Sequence, residues 1–75
     1  MEINKVLDAK GLSCPMPIVR TKKAMDTLES GQILEVQVTD KGALADLTAW
    51  SAAAGHTLLD HKEEADVLTF YIKKS

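Results

Sequence analysis

Several kinds of residue are scarce in this chain. Its 75 residues include one cysteine, two prolines and a single Phe, Tyr and Trp. One cysteine excludes an internal disulfide and fits a reducing compartment, while so few aromatics predict a core built from aliphatic side chains. Positive charge is not in excess either, since the net charge is -2. Nucleic acids and anionic membrane surfaces are therefore disfavoured as partners.

Long apolar runs are also absent. No stretch of about 18 apolar residues could cross a bilayer, and the first residues, MEINK, are not followed by an apolar signal core. No repeat, linker or low-complexity segment divides the chain. We therefore expect a single cytoplasmic domain over residues 1–75, without membrane insertion or direct contact with nucleic acid.

The first half of the chain has the pattern of strand, helix and strand. Ile3–Ala9 and Ile33–Thr39 are predicted strands, and the second of them alternates cleanly between apolar and polar residues. Between them, residues 15–29 contain no glycine and predict an amphipathic helix that ends at Ser30 and Gly31. Its expected buried arc consists of Ile18, Thr21, Ala24, Met25 and Leu28.

The second half predicts a helix followed by a hairpin. Asp40 is the expected N-cap of the helix and Gly55 its left-handed end. Strands over Thr57–Lys62 and Val67–Lys73 flank a turn at residues 63–66. The expected buried side of the helix consists of Leu44, Leu47, Trp50, Ser51 and Ala54.

These elements follow the order βαβαββ. Connections between parallel strands are right-handed in nearly all proteins, so both helices should lie on one face of the sheet. The sequence therefore predicts an α/β (α+β) two-layer sandwich, with a four-stranded mixed sheet and two helices on one face.

The only cysteine, Cys14, lies between the first strand and the first helix, in the segment GLSCPMP. A free cysteine is more often a buried core residue, but a turn marked by glycine and proline at a helix start is not a core position. The partial positive charge of a helix N-terminus favours the thiolate and lowers the pKa of such a thiol. Pro15 and Pro17 fit the first helical turn, where they stiffen the chain without breaking the helix. We therefore expect Cys14 to be an exposed nucleophile.

The chemistry open to one thiol is limited. Disulfide exchange usually needs a second cysteine, and hydrolysis needs a histidine base. Nothing in the sequence brings His56 or His61 to Cys14, and surface histidines are commoner than a metal site built from these three residues. We expect no metal and no cofactor. A group carrier remains, and transfer of sulfane sulfur as a persulfide suits it best.

The segment LDAKGLSCPMP resembles the Cys-Pro-x-Pro signature of the TusA/SirA family of small sulfur carriers (sulfurtransferases). The resemblance continues through residues 31–36, 40–50 and 55–59. It implies a βαβαββ sandwich in which Cys14 carries sulfur as a persulfide, while Pro15 and Pro17 shape its turn. It also implies two protein partners: a cysteine desulfurase or rhodanese-like donor, and a sulfur acceptor.

The resemblance has departures and leaves the pathway open. Many family members have proline at the positions of Lys41 and Thr48, which here gives the second helix a less rigid start. The motif is shared by proteins of tRNA thiolation, sulfur oxidation, molybdenum-cofactor maturation, and thiosulfate or selenium handling.

Residues near Cys14 are candidates for partner docking. Leu12 and Met16 flank it and suit either an exposed apolar contact or core packing. Arg20 and Lys23 belong to a basic strip that is either a solvated face or a surface that steers an acidic partner. Trp50 has no basic neighbours and is expected to pack under its helix.

Two acidic residues have a simpler interpretation than substrate steering. Asp40 is a good N-cap, and Asp46 in the following turn favours the helix dipole.

Two other functions stay open at this point. The Cys-Pro-x-Pro turn could be a docking shape in a non-catalytic interaction or regulatory module, or Cys14 could be a redox sensor that forms a sulfenic acid. For the carrier we expect a monomer with sulfurtransferase activity.

Overall fold

A computed structural model describes residues 2–13 and 16–75. Within them the helices and strands occur in the predicted order. The elements are β1 (Lys5–Ala9), α1 (Met16–Asp26), β2 (Ile33–Val38), α2 (Ala43–Ala54), β3 (Thr57–Glu64) and β4 (Val67–Lys73).

The strands form one mixed sheet in the order β1-β2-β4-β3. β1 runs parallel to β2, with Ala9 opposite Val38, and β4 pairs antiparallel with both β2 and β3. Because β1 and β2 are parallel, both end at one edge of the sheet, and the connections into α1 and α2 begin there. We call this edge, marked by Ala9 and Val38, the loop edge.

One face of the sheet is covered by the helices, which also contact each other. Side chains that alternate along β2 and β4 fill this interface. They are Leu34, Val36 and Val38 from β2, and Leu68, Phe70 and Ile72 from β4. The predicted two-layer sandwich is confirmed, and its largely aliphatic core contains one fully buried aromatic ring, that of Phe70.

Several predicted boundaries were wrong by a few residues. β1 begins at Lys5 rather than Ile3, β2 ends at Val38, and α1 ends at Asp26 rather than at residue 29. After α1, the amides of Thr27 and Leu28 donate to carbonyl oxygens three residues back, which tightens the last turn and ends the helix.

The hairpin turn is shorter than predicted. β3 extends to Glu64, and only Ala65 and Asp66 connect it to β4. Both residues have positive φ, 50° and 66°, as in the two-residue turns that match the twist of a hairpin. The short turn therefore leaves Glu63 and Glu64 in the strand.

The start and the buried side of α2 also differ from prediction. Gly42, not Asp40, is the N-cap, and Asp40 instead closes the turn before the helix, its Oδ1 accepting the amide of Gly42 at 3.0 Å. Leu47 and Ser51 are buried as predicted, Trp50 is only half-buried, and Leu44 and Ala54 are exposed. The buried residues of α2 are spaced four positions apart: Ala43, Leu47 and Ser51. They form a narrow stripe, and the residues beside them lie outside it. Gly55 ends the helix in the left-handed conformation, as predicted.

Candidate functional site

The loop that follows β1 begins with a tight turn at the loop edge. The amide of Leu12 donates to the carbonyl oxygen of Ala9 at 3.3 Å, and the amide of Lys10 donates to Oδ1 of Asp8 at 3.0 Å. Gly11 lies within this turn with φ of 81°, a conformation that costs little only for glycine. These bonds fix the backbone of the turn between Asp8 and Leu12.

A second contact joins this turn to β2. The amide of Gly11 donates to Oγ1 of Thr39 at 2.9 Å, across 28 residues of sequence. Thr39 directly follows β2, so the contact connects the two loops that leave the loop edge. Thr39 was not among the predicted site residues, because no local pattern indicates which distant amide will donate a hydrogen bond to a threonine at a strand end.

Cys14 and Pro15, on which the predicted thiol chemistry rests, lie outside the described residues. Ser13 is the last described residue before them, and Met16, the first described residue after them, is also the first residue of α1. The amide of Met16 donates to the carbonyl oxygen of Ser13 at 2.8 Å.

Pro17 occupies the first turn of α1 and is buried, and the helix continues through it. Its carbonyl oxygen accepts the hydroxyl of Thr21 at 2.7 Å, one turn later in the helix. A proline is tolerated here because the first amides of a helix have no intrahelical acceptor. Thr21 was expected on the buried arc, but its hydrogen bond to Pro17 was not.

The candidate docking residues differ in exposure. Leu12 is half-buried and packs against the core, whereas Met16 is 38% exposed and Arg20 and Lys23 are exposed. Val19, which was not predicted, is as exposed as Met16.

Val19, Arg20 and Lys23 lie three, four and seven positions after Met16, which places these four residues on one side of α1. We call this surface the α1 stripe: Met16, Val19, Arg20 and Lys23. The same spacing in the sequence could have indicated Val19. The α1 stripe begins at the end of the helix that is nearest to Cys14 in the chain.

The two histidines do not lie together at the loop edge. His56 precedes β3, whose Thr57 pairs through Lys73 with Ile33 at the opposite edge of the sheet. Its Nδ1 accepts the amide of Ser75 at 3.2 Å, and its ring lies 5.3 Å from that of Trp50. His61 is exposed. Over residues 2–13 and 16–75, no group of three His, Cys, Asp or Glu side chains is arranged to hold a metal ion.

The two acidic candidates lie at the start of α2. Asp46 is exposed in the first turn of the helix, and Asp40 is half-buried in the turn before it. The position of Asp46 agrees with its predicted place in the first turn of the helix, whereas Asp40 lies before the helix and is not its N-cap.

A cavity of about 300 Å³ lies on the sheet face away from the helices, between β2, β3 and β4. Its lining includes Glu35, Gln37 and Tyr71, and Nε2 of Gln37 donates to Oε2 of Glu35 at 2.7 Å. None of the predicted site residues lines it.

In the part of the chain that the structure describes, neither helix has the length and apolar composition needed to span a membrane.

Comparisons with known proteins identify the class of this domain. The model of the family described as Sulfurtransferase TusA matches residues 5–74, so this chain belongs to the TusA family of sulfur carriers. The resemblance to the TusA/SirA family stated above is confirmed.

Individual relatives agree with this assignment. YrkI of Bacillus subtilis, whose name places it among the sulfur carriers, is 69% identical over 99% of both chains. Sulfur carrier protein TusA of Allochromatium vinosum is 43% identical over 99% of this chain and 97% of its own. The crystal structure of a SirA-like protein from Desulfitobacterium hafniense superposes with a TM-score of 0.81 at 25% identity, covering 92% of this chain and 95% of that one.

Proposed function

We propose that this protein is a sulfurtransferase that relays sulfane sulfur on Cys14. The observation that carries the proposal is the sequence position of the chain's only cysteine, two residues before Met16, the first residue of α1, in a member of the TusA family. A single thiolate is sufficient for this chemistry, because sulfur transfer between persulfides needs neither a base nor a metal.

The transfer consists of two displacements. The Cys14 thiolate attacks the outer sulfur of a donor persulfide, R–S–SH, so a new S–S bond forms and the donor leaves as the thiolate R–S⁻. An acceptor nucleophile then attacks the outer sulfur of Cys14–S–SH, and Cys14 leaves as a thiolate. The persulfide bond is exchanged each time without net oxidation, so no cofactor is required.

The start of α1 contributes electrostatics rather than a set of amide donors. Pro17 has no amide hydrogen, and the amide of Met16 already donates to Ser13. Stabilisation of a thiolate at this end therefore falls mainly to the dipole of the helix.

Partner docking is assigned to the α1 stripe together with Leu12. Met16 and Val19 offer an apolar contact, and Arg20 and Lys23 add two positive charges further along the helix. Complementary charge raises the rate of encounter and orients it, so the fitting partner surface is apolar at its centre and acidic beside it.

We further propose that the protein acts in the cytoplasm as a monomer. Its donor is a cysteine desulfurase or a rhodanese-like protein, and its acceptor is a second protein. An unpaired cysteine stays reduced in that compartment, as a persulfide relay requires.

Intact mass spectrometry tests the proposal. The protein is incubated with a cysteine desulfurase and cysteine, or with a rhodanese and thiosulfate, and weighed under non-reducing conditions. We expect a gain of one sulfur atom that dithiothreitol removes and that Cys14→Ser abolishes. Ser13→Ala is the matched control, because it changes the neighbouring residue and keeps the thiol.

No gain of sulfur, or a gain that survives Cys14→Ser, would refute the proposal. If peroxide adds one oxygen to Cys14 while neither donor adds sulfur, the redox sensor is the better description. If Cys14→Ala retains both partner binding and cellular function, the protein is an interaction module.

A further inference from the structure

The hydrogen bond between Gly11 and Thr39 occupies a special place in the fold. Lys10 and Leu12, on either side of Gly11, direct their amides to Asp8 and Ala9 within the same turn. The amide of Gly11 instead reaches Oγ1 of Thr39, at 2.9 Å. The first two bonds define the shape of the turn, whereas the third ties the turn to the end of β2.

Thr39 also stands at the start of the second loop of the loop edge. Asp40, its neighbour, accepts the amides of Gly42 and Ala43 with its side chain and its carbonyl oxygen, each at 3.0 Å. These bonds form the turn that leads into α2. A displacement of Thr39 is therefore resisted by β2 on one side and by this turn on the other.

We propose, resting on the proposed function, that Thr39 is a positioning residue for sulfur transfer. Its hydroxyl fixes the segment from Gly11 to Ser13 relative to β2, and this segment leads directly into Cys14. With the preceding segment fixed, less entropy is lost when the Cys14 sulfur is aligned with a partner's persulfide.

Two substitutions at Thr39 separate its hydroxyl from its shape. Thr39→Val retains the branched side chain and loses the acceptor, whereas Thr39→Ser retains the acceptor. Thr57→Val is the matched control, because Thr57 is also exposed and lies on the opposite edge of the sheet. Each variant is loaded by a desulfurase in single-turnover reactions, and the rate is measured against donor concentration.

We expect Thr39→Val to lower the maximal rate of sulfur loading about twofold, the lower end of the worth of one hydrogen bond, because this bond is exposed to water. The donor concentration at half-maximal rate should not change, because the α1 stripe is untouched. Thr39→Ser should restore the rate of the original protein, and Thr57→Val should leave it unaltered. If Thr39 contributed only to stability, Thr39→Val would lower the melting temperature. It would not selectively lower the maximal rate while leaving the donor concentration at half-maximal rate unchanged.

The pH profile of Cys14 alkylation by iodoacetamide is a second readout that needs no sulfur donor. We expect Thr39→Val to slow alkylation at neutral pH and Thr39→Ser to restore it. Equal profiles for Thr39→Val and the original protein, or equal losses for the Val and Ser variants, would overturn the role of Thr39. Failure of the original protein to take up sulfur would instead refute the proposed function, and alkylation would still test Thr39.

Discussion

The hydroxyl of Thr21 donates a 2.7 Å hydrogen bond to the carbonyl oxygen of Pro17, and both residues are buried in the first turns of α1. Thr48 makes the same kind of bond in α2, to the carbonyl oxygen of Leu44 at 2.6 Å, but in an exposed position. The two threonines therefore share a local geometry and differ in access to water.

Thr21→Val should lower the free energy of unfolding by about 1 kcal/mol, because it removes a buried hydrogen bond while nearly keeping the volume of the side chain. Thr48→Val should change it by less than about 0.5 kcal/mol, because water replaces the lost partner. Urea denaturation of both variants checks this. Equal effects at the two positions would show that burial of the Thr21 bond does not matter.

A charge reversal tests docking through the α1 stripe. Arg20→Glu combined with Lys23→Glu should slow sulfur loading from an acidic donor about tenfold at low salt, because attraction becomes repulsion. The loss should shrink in about 0.5 M salt, where surface charges are screened.

The control for this experiment is Lys62→Glu combined with Lys73→Glu. It makes the same change in net charge with two exposed residues of β3 and β4. The buried side chains of β4 face the helices, whereas Lys62 and Lys73 lie on the other face of the sheet. If the control slows loading as much as the α1 double variant, net charge and not the α1 stripe governs the encounter.

Gly11 and Gly31 form a matched pair of left-handed glycines. Their φ angles are 81° and 87°, and an added Cβ would meet no atom within 4 Å at either position. Alanine at each should therefore lower the free energy of unfolding by a similar amount, about 1 kcal/mol, from backbone strain alone. Only Gly11→Ala should also slow sulfur loading and Cys14 alkylation, since Gly31 precedes β2 at the edge opposite the loop edge. Equal loading rates in the two variants would contradict this.

Ser51 is a position where a substitution should stabilise the protein. It is buried in α2, and its hydroxyl has no hydrogen-bond partner among the described residues. Ser51→Ala should raise the free energy of unfolding by about 1 kcal/mol, because it removes a desolvated polar group and favours the helix. Ala52→Ser, the reverse change at the exposed neighbouring position, should lower it by about 0.5 kcal/mol. A Ser51→Ala variant less stable than the original protein would contradict this interpretation.

Leu44 and Leu47 test the corrected buried side of α2. Leu47 is fully buried, whereas Leu44 is 37% exposed. Leu47→Ala should lower the free energy of unfolding by about 2 to 5 kcal/mol, a large part of the stability of so small a domain. Leu44→Ala should lower it by less than about 1 kcal/mol, which thermal and chemical denaturation can measure.

Much of the architecture follows from patterns within single segments. The alternation of β2, the helical spacing of residues 15–29 and the glycine after α2 each depend on neighbours in sequence, and each indicated the correct element. The single cysteine and its motif are also visible in the sequence, and the role of Cys14 stays a prediction. Boundaries were less accurate, because capping competes with local turns such as the one Asp40 forms with Gly42.

Relations between distant segments were decided by the packed structure. Strand order and register determine three such relations. β4 lies between β2 and β3, the amide of Gly11 donates to Thr39, and His56 lies at the edge opposite the loop edge. Register is set when several apolar faces are buried together, and no single segment contains that information. The candidate reactive residue therefore lies in a short motif that the sequence alone shows, whereas the groups that hold the preceding turn come together only in the folded sheet.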